Sequence, residues 1–343
     1  MARHHQIGIS ALIWVAAVVI SATAHPLYAA QKPLAPTQIL QVQPPLTDDK
    51  EAENISGAAC AFVSDKGASC LLIGDEKRYA RFFTLKGDTL VPGKQLFLLP
   101  KEYTDGQETK EYTETDAEGI AFSHGTYFLT GSHGLNKSGD LQPSRYFIYR
   151  VSVDQDTGLT ADFGSKEKPS VQVKRSANLQ AIIHNDPELS KHEVDIPDLD
   201  GINVEGLAVS GDTLYFGFRG PLLSGEAVVA SLSLSDAFDN PTAELKTHSV
   251  ELGNGQGVRD IAAAGDGFLI LWGPEKDTAG PAGICFWKPG SDAKACREIT
   301  KAGPADSKPE ALTVLETTAD HYKVLIMSDG VNNGAPAVYE VPR

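Results

Sequence analysis

The sequence predicts an all-β chain folded as a single β-propeller of four-stranded blades, and three observations predict it. A short hairpin pattern recurs along the chain, strand-like runs separated by Gly, Asp and Asn turns follow each copy, and no alternation of strands with long helices appears. The recurrence is plainest between "DAEGIAFSHGTYFLTGSHG" (116–134) and "NVEGLAVSGDTLYFGFRG" (203–220). In both, an acidic residue and a glycine precede a short apolar strand, a polar turn follows, and a second apolar strand ends in a basic residue.

Aligning such hairpins gives five units: "ISGAACAF…CLLIGDE" (55–76), "AEGIAFSHGTYFLTGSH" (117–133), "VEGLAVSGDTLYFGFR" (204–219), "VRDIAAAGDGFLILWG" (258–273) and "PEALTVL…KVLIMSD" (309–329). Further strand-like runs follow each, among them "RYARFFTL", "RYFIYRVSV", "AVVASLSL", "GICFW" and "AVYEV". Five blades are visible, six if the long second unit holds a degenerate blade. The fifth unit runs out after three strands, so "TQILQVQ" (37–43) is expected to supply its outer strand and close the ring. The excess in the second unit, residues 175–201, reads as a partly helical excursion over one face. A β-sandwich followed by a second β domain is the rival architecture, and the spacing of like hairpins suits radial repetition better.

Residues 1–30 read as an export signal with a short leader: a basic start, an apolar run from Ile7 to Ile20 and small residues after it, with cleavage after Ala24 or Ala30. An uncleaved anchor is the alternative. The mature protein, residues 31–343, is expected to be one domain in the periplasm or secreted, with no stable membrane insertion. The net charge of the whole chain is −15, and the leader removes one arginine and no acid. That balance argues against nucleic acid and anionic membranes, and leaves cations, sugars, small molecules or proteins as partners of a monomer. The four cysteines fall into two local pairs, Cys60 with Cys70 and Cys285 with Cys296. Disulfides are the natural reading in an oxidising compartment; a zinc site would want Cys-x-x-Cys spacing, which neither pair has.

In a blade the innermost strand lines the central channel and the next strand returns, so the start of one and the end of the other share a rim. The aligned starting position reads Ser56, Glu118, Glu205, Arg259 and Glu310, and two residues earlier stand Asn54, Asp116, Asn203, Gly257 and Lys308. The far ends of the hairpins supply Asp75, Glu76, His133, Arg219 and Asp329. One mouth of the channel should therefore gather Ser56, Asp116, Glu118, His133, Asn203, Glu205, Arg219, Arg259, Glu310 and Asp329. Close carboxylates either bind a divalent cation or divide into acid and base. The structural explanation is that each glutamate accepts N–H bonds from the next blade or pairs with Arg259, and the glycine after it lets the backbone turn. Ser132 with His133 suggests a nucleophile and its base, but no third member is visible. "GNGQG" (253–257) reads as an inter-blade turn and "DIPDLDG" (195–201) as a solvated one.

The stretches "DGINVEGLAVSGDTLYFGFRGPLLSGEAVV" (200–229), "GVRDIAA" (257–263) and "KPEALTVL" (308–315) resemble a family of exported bacterial proteins known only as a domain of unknown function. More distantly, the Glu-Gly-Ile/Leu-Ala entry is similar to that of phytase-like esterase and gluconolactonase-type propellers. The distant resemblance implies calcium at the channel mouth and ester or phosphoester hydrolysis, with Glu118, Glu205 and Glu310 as metal ligands and Arg219 and Arg259 facing an anionic substrate. Arg259 departs from that pattern, standing where a fourth acid would help a cation.

Three functions follow: a metal-assisted hydrolase of a small phosphoester, ester or lactone; a glycosidase using two carboxyls about 5 to 9.5 Å apart across the channel; and a non-catalytic module binding a ligand or protein, with an apolar patch exposed near "FRGPLL" (218–223).

Overall fold

The computed structural model describes residue 1 and residues 32–46, 53–64 and 67–343. The export signal and its two cleavage positions lie outside the described residues. Lys32–Arg343 forms one compact unit, a five-bladed propeller. Blade one is built from Gly57–Ser64, Gly67–Ile73, Tyr79–Lys86 and Thr89–Phe97, and blade two from Ala117–Ser123, Thr126–Gly131, Ile148–Ser152 and Val173–Ser176. Blade three comprises Asn203–Ser210, Thr213–Leu223, Glu226–Ser233 and Lys246–Val250, and blade four Gln256–Ala264, Gly267–Pro274, Gly283–Trp287 and Lys294–Glu298. Blade five has Lys308–Thr317, His321–Asp329 and Ala337–Pro342 from the C-terminal end of the chain. The innermost strand of each blade touches that of the next, and the fifth touches the first. No sixth blade hides in the second unit.

The N-terminal segment closes the ring more thoroughly than one outer strand would. Gln38–Ile39 pairs antiparallel with Ala337–Pro342 as the fourth strand of blade five, and Gln41–Val42 pairs in parallel with Thr89–Phe97 of blade one. Before them, Leu34 bridges to Ile299 at the edge of blade four. One short stretch thus ties three blades.

Alternating strands leave an apolar row on each blade face, and those rows meet in five core clusters, one at each junction between neighbouring blades. Leu71, Phe82 and Tyr127 fill the junction of blades one and two; Val204, Phe216 and Phe218, together with Leu179 and Ile182 from the excursion, fill that of two and three. Ala208, Val229, Ile270 and Trp287 pack between three and four, Leu271, Ile284, Val324 and Tyr339 between four and five, and Leu40, Phe83, Leu325 and Met327 between five and one. The excursion is partly helical, with an α-helix at Asn178–Asn185 and 3-10 turns at Leu189–His192 and Pro197–Leu199.

Both cysteine pairs are disulfides joining neighbouring strands of one blade, which removes them as zinc ligands. The apolar patch expected at "FRGPLL" is not exposed: Phe218 is buried in the core, Leu223 packs on the cluster between blades two and three, and Leu222 on that between three and four. Among the described residues, no helix is long and apolar enough to cross a membrane.

Candidate functional site at the channel mouth

The glycine of the repeated Glu-Gly has a reason other than a turn. Neither Gly119 nor Gly206 has a left-handed backbone; a Cβ on Gly119 would lie 2.8 Å from the backbone of Gly206, and one on Gly206 would lie 2.9 Å from the Ile261 nitrogen. The innermost strands of successive blades pack backbone on backbone here, which only glycine allows.

The residue beside it has a special position too. On the innermost strands the pairing register skips one residue: Glu118 between Ala117 and Gly119, Glu205 between Val204 and Gly206, Arg259 between Val258 and Asp260, and Glu310 between Pro309 and Ala311. Each is the extra residue of a β-bulge, the device that re-aims a side chain out of the pleat. The four aligned positions are therefore aimed by one repeated irregularity.

Their partners divide them. Arg259 is buried and donates from Nη1 to Glu310 at 2.8 Å and to Glu205 at 3.2 Å, and from Nη2 to the carbonyls of Pro274 and Lys276. Glu205 also accepts from Asn203 at 2.9 Å and pairs with Arg219 at 3.1 Å. A chain of alternating charge, Arg219–Glu205–Arg259–Glu310, thus crosses blades three, four and five and forms the floor of the mouth. Arg259 lies within that floor and is not among the cavity-lining residues. The structural task of accepting an N–H bond from the next blade falls to Asp260, whose carboxylate takes the Leu312 amide of blade five at 2.7 Å and the Ile261 amide of its own strand at 2.8 Å.

Above the floor is a cavity of about 170 Å3, and Ser56, Asp116, Glu118, Asn203, Glu205, Arg219, Glu310 and Asp329 all line it. His133 does not: its backbone is left-handed, its ring is buried, and burial lowers its pKa to about 3, so it is neutral. Six further charged residues share the lining: Asp75, Lys137, Arg145, Asp198, Asp277 and Lys308. Lys308 pairs closely with Asp277 and stands 3.6 Å from Asp329. Asp198, on the excursion, accepts from the Asp277 amide at 3.1 Å, so the supposedly solvated turn "DIPDLDG" walls the mouth.

The carboxylates on the opposite wall are less well matched. Asp75, Asp116 and Glu118 each offer an oxygen lying within 4.8 Å of the others, and the Asp116 amide donates to the Asp75 carbonyl across the first blade junction. Arg145 reaches Asp116 at 3.0 Å but also serves Glu114 at 2.8 Å. Among the described residues, Asp75 Oδ1 and Asp116 Oδ2 are buried without a hydrogen-bond partner. Burial first, then Asp116, Asp329 and Glu76, raise Asp75 to about 7; burial raises Asp116 to about 6 against the pull of Arg145; burial, then Asp116, Asp75, Glu205 and Glu310, hold Glu118 well above the usual carboxylate range. The metal trio implied by resemblance is thereby split. Glu205 and Glu310 answer to arginines, whereas Glu118 sits with Asp75 and Asp116. Asp75 was legible as a hairpin end; Arg145, Lys137 and Asp277 lie on connecting segments with no repeat to flag them.

No curated protein matches this sequence. Among solved structures, the chain is similar to Zg3597, a family 117 glycoside hydrolase from the marine bacterium Zobellia galactanivorans, at 10% identity over 89% of this chain and 88% of that one, TM-score 0.42. It is similar also to a GH43 endo-arabinanase from Bacillus licheniformis (12% identity, 87% and 96% covered, TM-score 0.37) and to the Pan2 WD40 domain of Neurospora crassa (12%, 91% and 95%, TM-score 0.36). Likeness at these scores carries no argument, and the blade count rests on the sheet topology alone. The family model described as a protein of unknown function (DUF3616) matches residues 139–335, more than half of the chain, and the chain belongs to that family.

Proposed function

We propose that this propeller is a hydrolase whose channel mouth holds a divalent cation, calcium by the chemistry of its donors, on Asp75, Asp116 and Glu118, and cleaves a small phosphoester, ester or lactone. One observation carries the reading: two buried carboxylate oxygens without partners, Asp75 Oδ1 and Asp116 Oδ2, beside Glu118 within 4.8 Å. Carboxylates taken out of water without compensation are costly, and a hard cation with an all-oxygen preference supplies what the nearby basic residues do not. A bound cation would polarise the ester oxygen and make a bound water more acidic. The chain's own groups do the rest. Arg145 orients Asp116, the floor chain through Arg259 fixes the height of Glu205 and Glu310, and Arg219 and Lys308 face the substrate from the other wall.

A glycosidase is the second reading, and the observation favouring it is Glu118. A carboxyl held protonated by burial is a general acid, and Asp116 beside Arg145 is the carboxyl of the trio with a basic partner. That reading needs no cation.

The test is a melt of the protein stripped with chelator and titrated with calcium, on wild type and on Asp75→Asn/Asp116→Asn, with ester, phosphoester, lactone and glycoside panels run on both forms. Saturation at 100 times Kd adds about 2.7 kcal/mol. A rise in wild type alone with calcium-dependent ester turnover supports the first reading; calcium-independent glycoside turnover supports the second. Absence of both leaves a binding module.

A further inference from the structure

Arg219, within the strand Thr213–Leu223, lines the cavity with its side chain only 10% exposed. Its Nη1 is turned to Glu205 at 3.1 Å. The opposite edge of the guanidinium is buried and unmatched. Among the described residues Nε–H has no acceptor, and Nη2 stands 3.9 Å from Asp198, beyond hydrogen-bond length. Those two groups form the side-on fork of arginine, with parallel N–H bonds spaced to meet two oxygens of a carboxylate or phosphate. A buried charged donor without an acceptor is costly, so an edge of this kind calls for a partner from the cavity. Lys137 and Lys308, on the same lining, are engaged with Asp277. They add positive potential without a fork of their own.

Asp198 stands at the approach to this edge. Its turn, Pro197–Leu199, belongs to the excursion; one carboxylate oxygen is held by the Asp277 amide at 3.1 Å, and its side chain is 44% exposed. An anion approaching the fork meets that carboxylate first.

We propose that the Nε/Nη2 edge of Arg219 is the seat of an oxyanion borne by the substrate, a carboxylate or a phosphate, and that Asp198 sets how readily anions reach it. The inference rests on the hydrolytic reading of the mouth and adds the charge and the binding edge of the substrate. Of the two arginines that the distant resemblance sets facing an anion, it keeps Arg219 and withdraws Arg259, which is committed to the floor.

Calorimetric titration of inorganic phosphate and of acetate into wild type, Arg219→Lys and Asp198→Asn, each with chelator and with calcium, tests it. Lysine keeps the charge beside Glu205 and loses the fork, so affinity should fall roughly 10- to 100-fold, the worth of hydrogen bonds to a charged group. Asp198→Asn keeps an acceptor for the Asp277 amide and removes the repulsion, so affinity should rise. Saturation by phosphate alone or acetate alone identifies which group the substrate carries. Equal affinity in wild type and Arg219→Lys, or saturation by neither anion in wild type, overturns the proposal. A calcium titration of the same samples separates the two ideas: calcium binding without anion binding leaves the cation reading standing and this one fallen, and the reverse pattern does the opposite.

Discussion

Arg259 Nη1 lies 2.8 Å from Glu310 Oε1, and the two residues occupy the same bulge position in neighbouring blades, one a cation and one an anion. The repeat supplies the aim and the sequence chooses the charge. Glu205, one blade the other way, completes the arrangement at 3.2 Å, so a single guanidinium bridges two repeat-aligned acids.

Replacing that guanidinium should therefore unfold more than it vacates. Arg259→Met leaves Glu205 and Glu310 buried with less compensation, and removing one partner of a buried pair costs about 3 to 5 kcal/mol. Urea denaturation of wild type and variant checks it; a loss below about 1 kcal/mol, the worth of an exposed pair, would show the floor to be solvated.

Stability should depend on pH in a particular direction. Asp75 and Asp116 are raised to about 7 and about 6 from 3.8, so between the unfolded and folded values the native state holds protons that the unfolded chain has lost. Metal-free protein then loses stability as pH rises from about 4 to about 7. Melts in chelator across that range should show a falling Tm, flatter in Asp75→Asn/Asp116→Asn. Because protons and a cation compete for the same oxygens, calcium affinity should climb through the same interval.

Two glycines separate close approach from backbone freedom. Gly206→Ala sets a Cβ 2.9 Å from the Ile261 nitrogen, whereas Gly211, with φ +57°, has nothing within 4 Å. The first should cost about 1 to 3 kcal/mol or more, because two blades must part, and the second about 1 to 2 kcal/mol from left-handed strain alone. Paired denaturation curves rank them; the reverse order would mean the blade junction yields easily.

The disulfides should matter to the blades and not to the mouth. Cys285→Ser/Cys296→Ser opens a short loop in blade four, a loss of about 2 to 3 kcal/mol. Calcium and phosphate titrations should be unchanged, and a changed affinity would couple that outer strand to the cavity.

The hairpin repeat was legible because a blade needs the same alternation and the same turns each time, and the ring closure because three strands cannot complete a fourth position. The mouth was legible to the extent that it repeats: Glu118, Glu205, Arg259 and Glu310 align because all four are bulge residues. What repetition cannot convey is partnership. Whether an aligned acid faces a cavity or an arginine depends on side chains from other blades, which is why Glu205 and Glu310 read like Glu118. Arg145 follows a long loop in blade two, and Asp198 sits on a turn whose composition is that of any solvated bend; only the packing of the excursion brings it to the rim. His133 failed for a local reason, a left-handed residue that turns its ring inward.

The segment from Leu34 to Ile39 engages strands made far later in the chain: the Thr37 hydroxyl, for instance, bonds to the Val338 carbonyl, 301 positions on. For a chain that emerges from its N-terminus, this part of the fastener is therefore delivered first and waits for the last two blades, while Gln41–Val42 just after it has blade one to hold. Four blades can assemble in sequence while this stretch waits. Blade five then seats it, and the mouth, whose cavity draws on all five blades, comes into being at that final step and not before.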